Sequence, residues 1–217
     1  IFDPTVRRVG ILRDGMWTIQ WTNPMPGSHS ALNAAAAAII ATNLGVDWES
    51  IIQPLENFKG VDRRLERLGT FTCKNGGKAT VYDDYGHHPT EIEITLRALR
   101  AAELPKRLIC VFQPHQHSRT RFLLNQFAQS FSSADEVIVP HIYFVRDSIV
   151  EQQQISAQDL VDKLVEQGVS AKNINDFDEI ATHLISTAQD GDLIVIMGAG
   201  PVTSIAHSLI DQAKVIQ

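Results

Sequence analysis

From about residue 68 onward, short apolar runs alternate with helix-patterned segments, and this alternation constrains the fold more than any other feature. Runs at 79–83, 108–112, 137–140 and 193–197 are short and mostly apolar, like strands buried on both faces, and a weaker one lies near 172–175. Such strands belong in a parallel or mostly parallel sheet covered by helices on both faces. The intervening segments carry helix signals. Thr90 with Glu93, and Ser156 with Asp159, read as capping boxes. Ile92, Leu96, Leu99 and Glu103 lie along one side of the first of these helices, and Glu93 and Arg97 form an i,i+4 pair on another. The last helix starts after Gly200-Pro201, with Pro at a first-turn position. Ligands of such sheets bind beyond the carboxyl ends of the strands. The polar residues that follow each run are therefore the ones to weigh.

The first 66 residues follow a different pattern. Runs at 6–11 and 16–21 flank Asp14-Gly15, a strong hairpin turn. In the second run Trp17, Ile19 and Trp21 alternate with Thr18 and Gln20, so one face is apolar. Residues 31–44 form an alanine-rich helix stopped by Gly45, and a shorter helix follows Asp47 as N-cap and ends near Asn57 and Gly60. The chain opens Ile1-Phe2-Asp3-Pro4, without Met, and reads as starting inside a longer protein. A net charge of −6 gives no footprint for sequence-independent nucleic-acid binding. No stretch reaches the roughly eighteen apolar residues of a membrane span. Cys73 and Cys110 lack C-x-x-C spacing and read as reduced thiols of a cytosolic protein.

Five clusters carry chemistry. Asp83-Asp84-Tyr85-Gly86-His87-His88 packs two carboxylates, a phenol and two imidazoles together, which an apolar core does not tolerate. It is either a solvated loop capping the next helix or part of a site. Adjacent His87-His88 before Pro89 cannot readily aim both rings at one ion, so no metal site is assigned. His115, Arg119 and Arg121 gather cations at a helix N-terminus, against the macrodipole, which favours a bound anion there. Gly198-Ala199-Gly200 lacks the full G-x-G-x-x-G fingerprint, and tight strand-to-helix packing is the preferred reading. His29 and Asn33 are four apart and share a helix face, although an N-cap serine beside an exposed amide is an equally plain account. Arg63-Arg64 sits at the composition change, where a solvated linker charge pair is the plain reading. No Ser-His-Asp order, zinc motif or Walker A sequence is present, so the residues alone give a fold and an edge, not a reaction.

Taken together, these segments resemble the Mur ligase family. Pro26-Gly27-Ser28-His29-Ser30-Ala31-Leu32-Asn33-Ala34 resembles the P-G-x-H-N-x-x-N-A stretch near the end of the family's central ATPase domain. Gly60-Val61-Asp62-Arg63-Arg64 resembles its G-x-x-R-R junction. Asp83-Asp84-Tyr85-Gly86-His87-His88-Pro89-Thr90-Glu91 is similar to the D-D-Y-G-H-H-P-T-E signature of the L-alanine-adding member. Phe112-Gln113-Pro114-His115 through Arg119-Thr120-Arg121 resembles its F-Q-P-H-R-Y-T-R-T segment.

The resemblance implies a cytoplasmic, ATP- and Mg²⁺-dependent ligase of peptidoglycan synthesis. ATP phosphorylates the carboxylate of UDP-N-acetylmuramate, and the amine of L-alanine attacks the acyl phosphate. It implies a division into 1–66, the end of the central ATP-binding domain, and 67–217, a Rossmann-like, amino-acid-binding C-terminal domain that swings toward the nucleotide. The UDP-binding domain, the Walker A loop and most metal ligands would then lie outside this chain, which alone is expected to be inactive. Carried over by position, His29, Asn33, Arg64 and Asp84 bind ATP. Tyr85, His87, His115 and Arg119 bind substrate. His87 and Arg119 are the catalytic candidates, with Arg119 gripping the alanine carboxylate through a bidentate fork. Three positions depart from the pattern. Ser30 replaces the usual Asn, Gln116 a common Arg and His117 a Tyr, so the anion site leans on Arg119 and Arg121. Two alternatives stand. One is the family's recycling ligase, which joins a tripeptide to the same sugar nucleotide; Tyr85-Gly86 argues against it, since Phe-Ala is usual there. The other is a non-catalytic nucleotide- or anion-binding module.

Overall fold

The computed structural model describes residues 2–3, 7–13 and 16–215, arranged around two sheets. The first has three antiparallel strands, β1 (Phe2–Asp3), β2 (Arg8–Arg13) and β3 (Met16–Thr22). The expected hairpin is present, but its Asp14-Gly15 turn and the start of its first run lie outside the described residues. Ile19 and Trp21 are buried while Gln20 is exposed, as the alternation requires. Two helices follow, α1 (Ser28–Asn43) and α2 (Trp48–Glu56). The Asp47 carboxylate accepts the Ser50 N–H at 2.9 Å and starts α2 as expected.

The second sheet holds β4 (Glu66–Thr72), β5 (Lys78–Asp84), β6 (Arg107–Phe112), β7 (Glu136–Val139), β8 (Ser170–Asn173) and β9 (Asp192–Met197), in the order β4-β5-β9-β6-β7-β8. Every pair is parallel except β4–β5. That antiparallel edge strand has no counterpart in the sequence reading. Gly69 interrupts it at a bulge, and Phe71 is its one fully buried residue, so its pattern is weak. The connecting helices are α3 (Pro89–Glu103), α4 (His117–Phe122), α5 (Leu124–Gln129), α6 (Ile149–Gln152), α7 (Ala157–Glu166) and α8 (Phe177–Thr187); α9 (Thr203–Val215) closes the described chain.

Uniformly apolar strands make sense because the sheet has a core on each face. Leu108, Cys110 and Phe112 of β6 point to the α3, α5 and α7 side, and Ile109 and Val111 to the α8 and α9 side. Leu193, Val195 and Met197 of β9 divide from Ile194 and Ile196 in the same way. The rings of Phe127 and Phe131 pack on Phe112 with centroids 5.5 and 5.3 Å away. Each such fully buried ring contributes about 2–3 kcal/mol.

Two helix starts differ from expectation. The capping box of α3 is His88 with Glu91, not Thr90 with Glu93. Pro89 takes the first helical position, where its missing N–H costs nothing, and this moves the cap two residues earlier. The helix α9 begins at Thr203, two residues after Pro201. The Ser156–Asp159 box is present, and Glu93 and Arg97 pair at 3.7 Å on the exposed side of α3. Cys73 and Cys110 are free and buried, and burial pushes both thiols up, away from reactive thiolate. No described helix is long and apolar enough to cross a membrane.

Candidate active site at the carboxyl edge

The strand order decides which loops meet. The strand β9 lies between β5 and β6, and Asp84, Met197 and Phe112 stand level across the three. Backbone bonds continue past the strand ends, with Gly198 N–H donating to Asp84 O at 3.0 Å and Gln113 N–H to Met197 O at 2.9 Å. Segments 83–88, 113–119 and 198–200, far apart in sequence, therefore share one edge.

The junction segment locks onto that edge. Arg63 and Leu65 adopt left-handed backbone, φ 58° and 47°. The Arg63 guanidinium donates to Asp83 Oδ2 at 3.2 Å and to the carbonyls of Gly198 at 2.6 Å and Gly200 at 3.3 Å. Thr203 Oγ1 donates to the same Asp83 oxygen at 2.6 Å. Arg63 is thus not a solvated linker charge, while Arg64 stays exposed and reaches Glu91 Oε1 at 3.4 Å. Sequence alone could not see this, because the partners of Arg63 lie 20 to 137 positions away. The Gly198-Ala199-Gly200 loop turns two carbonyls toward this cation. A Cβ on Gly200 would lie 2.5 Å from Gln113 Oε1, so close packing accounts for the glycine.

Asp84 is 3% exposed and spends both oxygens on backbone, accepting Leu65 N–H at 2.8 Å and Gly86 N–H at 2.7 Å. Burial pushes its carboxyl up despite those two donors. Between this junction and α1 opens a cavity of 670 Å³ lined by His29, Asn33, Arg64, Asp84 and Glu91, with apolar walls from Met25, Leu55 and Ile94. His29 and Asn33 do share a face, and it is the cavity face. Nδ1 of His29 is buried without a partner, and burial, reinforced by Arg64, holds the imidazole pKa down. The Ser30 hydroxyl is occupied by Asn23 Nδ2 at 2.6 Å and Met25 O at 3.0 Å.

Beside the cavity runs a row of rings. Tyr85 meets His87 edge-on at 5.5 Å, His87 lies 5.9 Å from His115, and His115 lies 5.6 Å from Tyr143. Arg63 and Arg64 stand 5.1 and 5.4 Å from the Tyr85 ring, within cation–π range. Nδ1 of His87 lies 3.1 Å from Tyr85 O, and Glu91 Oε2 accepts the His87 and His88 N–H groups at 3.0 and 3.1 Å. Burial, then Arg119 and His87, hold the His115 pKa down. Nη1 of Arg119 is buried with no hydrogen-bond partner, and Nδ1 of His115 likewise. An uncompensated buried guanidinium nitrogen is costly unless an anion completes it.

Two expectations about this region are corrected. Arg121 is not available to an anion, because it forms a two-pronged pair with Glu151 at 3.0 Å on both oxygens. The anion inferred at the start of α4 is the protein's own Asp147. It accepts the His117 and Ser118 N–H groups, and the Ser118 hydroxyl at 2.6 Å. Asp147 lies about 30 positions downstream, on a loop with no periodic signal, so the sequence could not nominate it. Glu91, Gln113 and Tyr143 were also missed as contacts, although Gln113 and Glu91 fall inside the quoted motifs.

The family profile described as "Mur ligase, glutamate ligase domain" matches residues 63–200. A UDP-N-acetylmuramate–L-alanine ligase of Desulfitobacterium hafniense is 41% identical over 184 residues, covering 85% of this chain and 40% of that protein. One of Agathobacter rectalis is 43% identical over 187 residues, covering 86% and 39%. The chain thus spans about 40% of the length of these curated relatives. Among solved structures, a UDP-N-acetylmuramate-alanine ligase of Thermotoga maritima superposes with a TM-score of 0.78 at 22% identity, over 97% of this chain and 45% of that one. A murein peptide ligase of Psychrobacter arcticus superposes with a TM-score of 0.64 at 26% identity, over 89% and 38%. The profile match across the junction, the ring row and the glycine loop leads to one conclusion: this chain belongs to the Mur ligase family.

Proposed function

We propose that this chain is the C-terminal part of an ATP-dependent ligase joining L-alanine to UDP-N-acetylmuramate in the cytoplasm. Residues 1–66 would end the ATP-binding domain and 67–217 form the amino-acid-binding domain. The observation that carries the reading is the buried, unpartnered Nη1 of Arg119 beside His115, in a row of rings that leads to the 670 Å³ cavity. That arrangement suits a small zwitterion presented to a nucleotide-activated acid.

In this reading the nucleoside part of ATP occupies the cavity. His29, Asn33 and Arg64 contact it, and Asp84 holds the junction through Leu65 and Gly86 instead of reaching far into the cavity. The γ-phosphoryl group moves to the muramoyl carboxylate, giving ADP and an acyl phosphate. Arg119 grips the alanine carboxylate. His87 donates its Nδ1–H to the Tyr85 carbonyl, which leaves the Nε2 lone pair to take a proton from the ammonium. The freed amine attacks the acyl carbon, and the tetrahedral intermediate expels phosphate, which carries off the second amine proton and leaves the amide. Mg²⁺, when bound, would neutralise phosphate charge. Among the described residues no three His, Cys, Asp or Glu side chains gather to hold a metal by themselves.

The test is Arg119→Ala in the full-length enzyme. The KM for L-alanine should rise about 100-fold while the KM for ATP stays put, reflecting loss of a charge-assisted grip of about 3 kcal/mol. Equal changes in both would refute the assignment.

A further inference from the structure

The ring row ends at Tyr143, and behind Tyr143 lies a second concavity. It has a volume of 580 Å³ and sits past the carboxyl ends of β7 and β8, bounded by residues 141–144, 152–158 and 173–175. Its lining contains no Asp, Glu, Lys or Arg. It presents the carboxamides of Gln152 and Gln158 and the rings of His117 and His141 over the apolar side chains of Ile142 and Ile155, while Asn173 Nδ2 donates to Val139 O at 2.7 Å and to Asn175 Oδ1 at 3.1 Å. Carboxamides and ring nitrogens over an apolar floor suit the alternating C=O, N–H and side-chain surface of a peptide.

Tyr143 belongs to both places. Its ring is 5.6 Å from His115, the neighbour of Arg119, and it lines the second concavity. Its backbone is fixed: Tyr143 N–H donates to Pro114 O at 2.8 Å, and Tyr143 O accepts Gln116 N–H at 3.1 Å. Its ring also lies against Gly200, where a Cβ would come within 3.1 Å of Cγ. With its backbone pinned at N–H and C=O and its ring set against His115 and Gly200, Tyr143 is a wall, not a passing surface residue.

We infer that Tyr143 is the specificity-determining wall that limits the amine substrate to a single amino acid, and that the groove behind it would hold the rest of a peptide if the wall were removed. The inference rests on the proposed reading of the Arg119 site. A free amino acid presents its carboxylate to Arg119. A peptide carries an amide at that point and must extend past His115, where the phenol ring stands. Removing the ring would open the space beside His115 toward that groove.

The test compares L-alanine with L-alanylglycine as nucleophile in the full-length enzyme, for wild type, Tyr143→Phe and Tyr143→Ala. The Ala variant should raise the ratio of kcat/KM for the dipeptide over that for L-alanine about tenfold or more, and the Phe variant should keep the wild-type ratio. A ratio within about twofold of wild type in the Ala variant would overturn the wall. Loss of turnover with both nucleophiles in the Ala variant would also overturn it, since Tyr143 would then be needed to build the site. Failure of the underlying reading looks different: Arg119→Ala would change the KM values for L-alanine and ATP equally.

Discussion

Replacing Arg63 with methionine tests how the junction holds the site. The substitution keeps the aliphatic stem but removes the guanidinium's bonds to Asp83, Gly198 and Gly200. Asp83 is 1% exposed and would be left with the Thr203 hydroxyl. Stranding one member of a buried ion pair costs about 3–5 kcal/mol. Arg63 is 27% exposed, so water already weakens the pair, and the low end, about 3 kcal/mol, applies. At about 2–4 °C per kcal/mol for a chain of this size, the melting temperature should fall by about 6–12 °C. Thermal unfolding followed by circular dichroism reads this directly. Asp83→Asn in the Arg63→Met background should recover about 1–2 kcal/mol, because the neutral amide still accepts the Thr203 hydroxyl and no charge is stranded. A fall below about 3 °C, or strictly additive effects in the double variant, would refute the reasoning.

Arg121→Ala should leave the KM for L-alanine unchanged and cost about 0.5–1 kcal/mol, because its partner Glu151 is half-buried and the pair is partly screened; a raised KM would return Arg121 to the anion site. His29, His115 and His117 all have pKa values held down chiefly by burial, from an ordinary value of 6.5. A base with a depressed folded pKa stabilises the fold above its unfolded pKa and loses that contribution as pH falls through the folded one. The chain should therefore lose thermal stability as pH falls below the ordinary histidine value of 6.5, and replacing the three with Gln should flatten the slope. An unchanged slope in the triple variant would remove these histidines as the cause. Asp84 works in the opposite sense, since burial raises its pKa and its contribution fades as pH rises through the folded value; comparison with the triple variant cancels it.

The sequence by itself determined the elements. Apolar runs of strand length, the alanine-rich helix and the Ser156–Asp159 cap are local consequences of side-chain period and hydrogen-bonding chemistry, and they appear where that chemistry puts them. Misses arose where the local signal was weak or ambiguous. The strand β4 hides its pattern behind a glycine bulge, and the start of α3 depends on Pro89 taking the first helical position. Motif resemblance also singled out His29, Asn33, Arg64, Asp84, Tyr85, His87, His115 and Arg119. Tertiary structure decided how they are used. Inserting β9 between β5 and β6 brings three distant loops to one edge. It spends the carboxylate of Asp84 on backbone, gives Arg121 to Glu151 and Asp147 to the start of α4, and leaves Arg119 with an unpartnered nitrogen. Periodicity reports which way a side chain faces along its own element. Whether a charge is already neutralised depends on a partner that, for Arg119 and Arg121 alike, only the folded chain can supply or withhold.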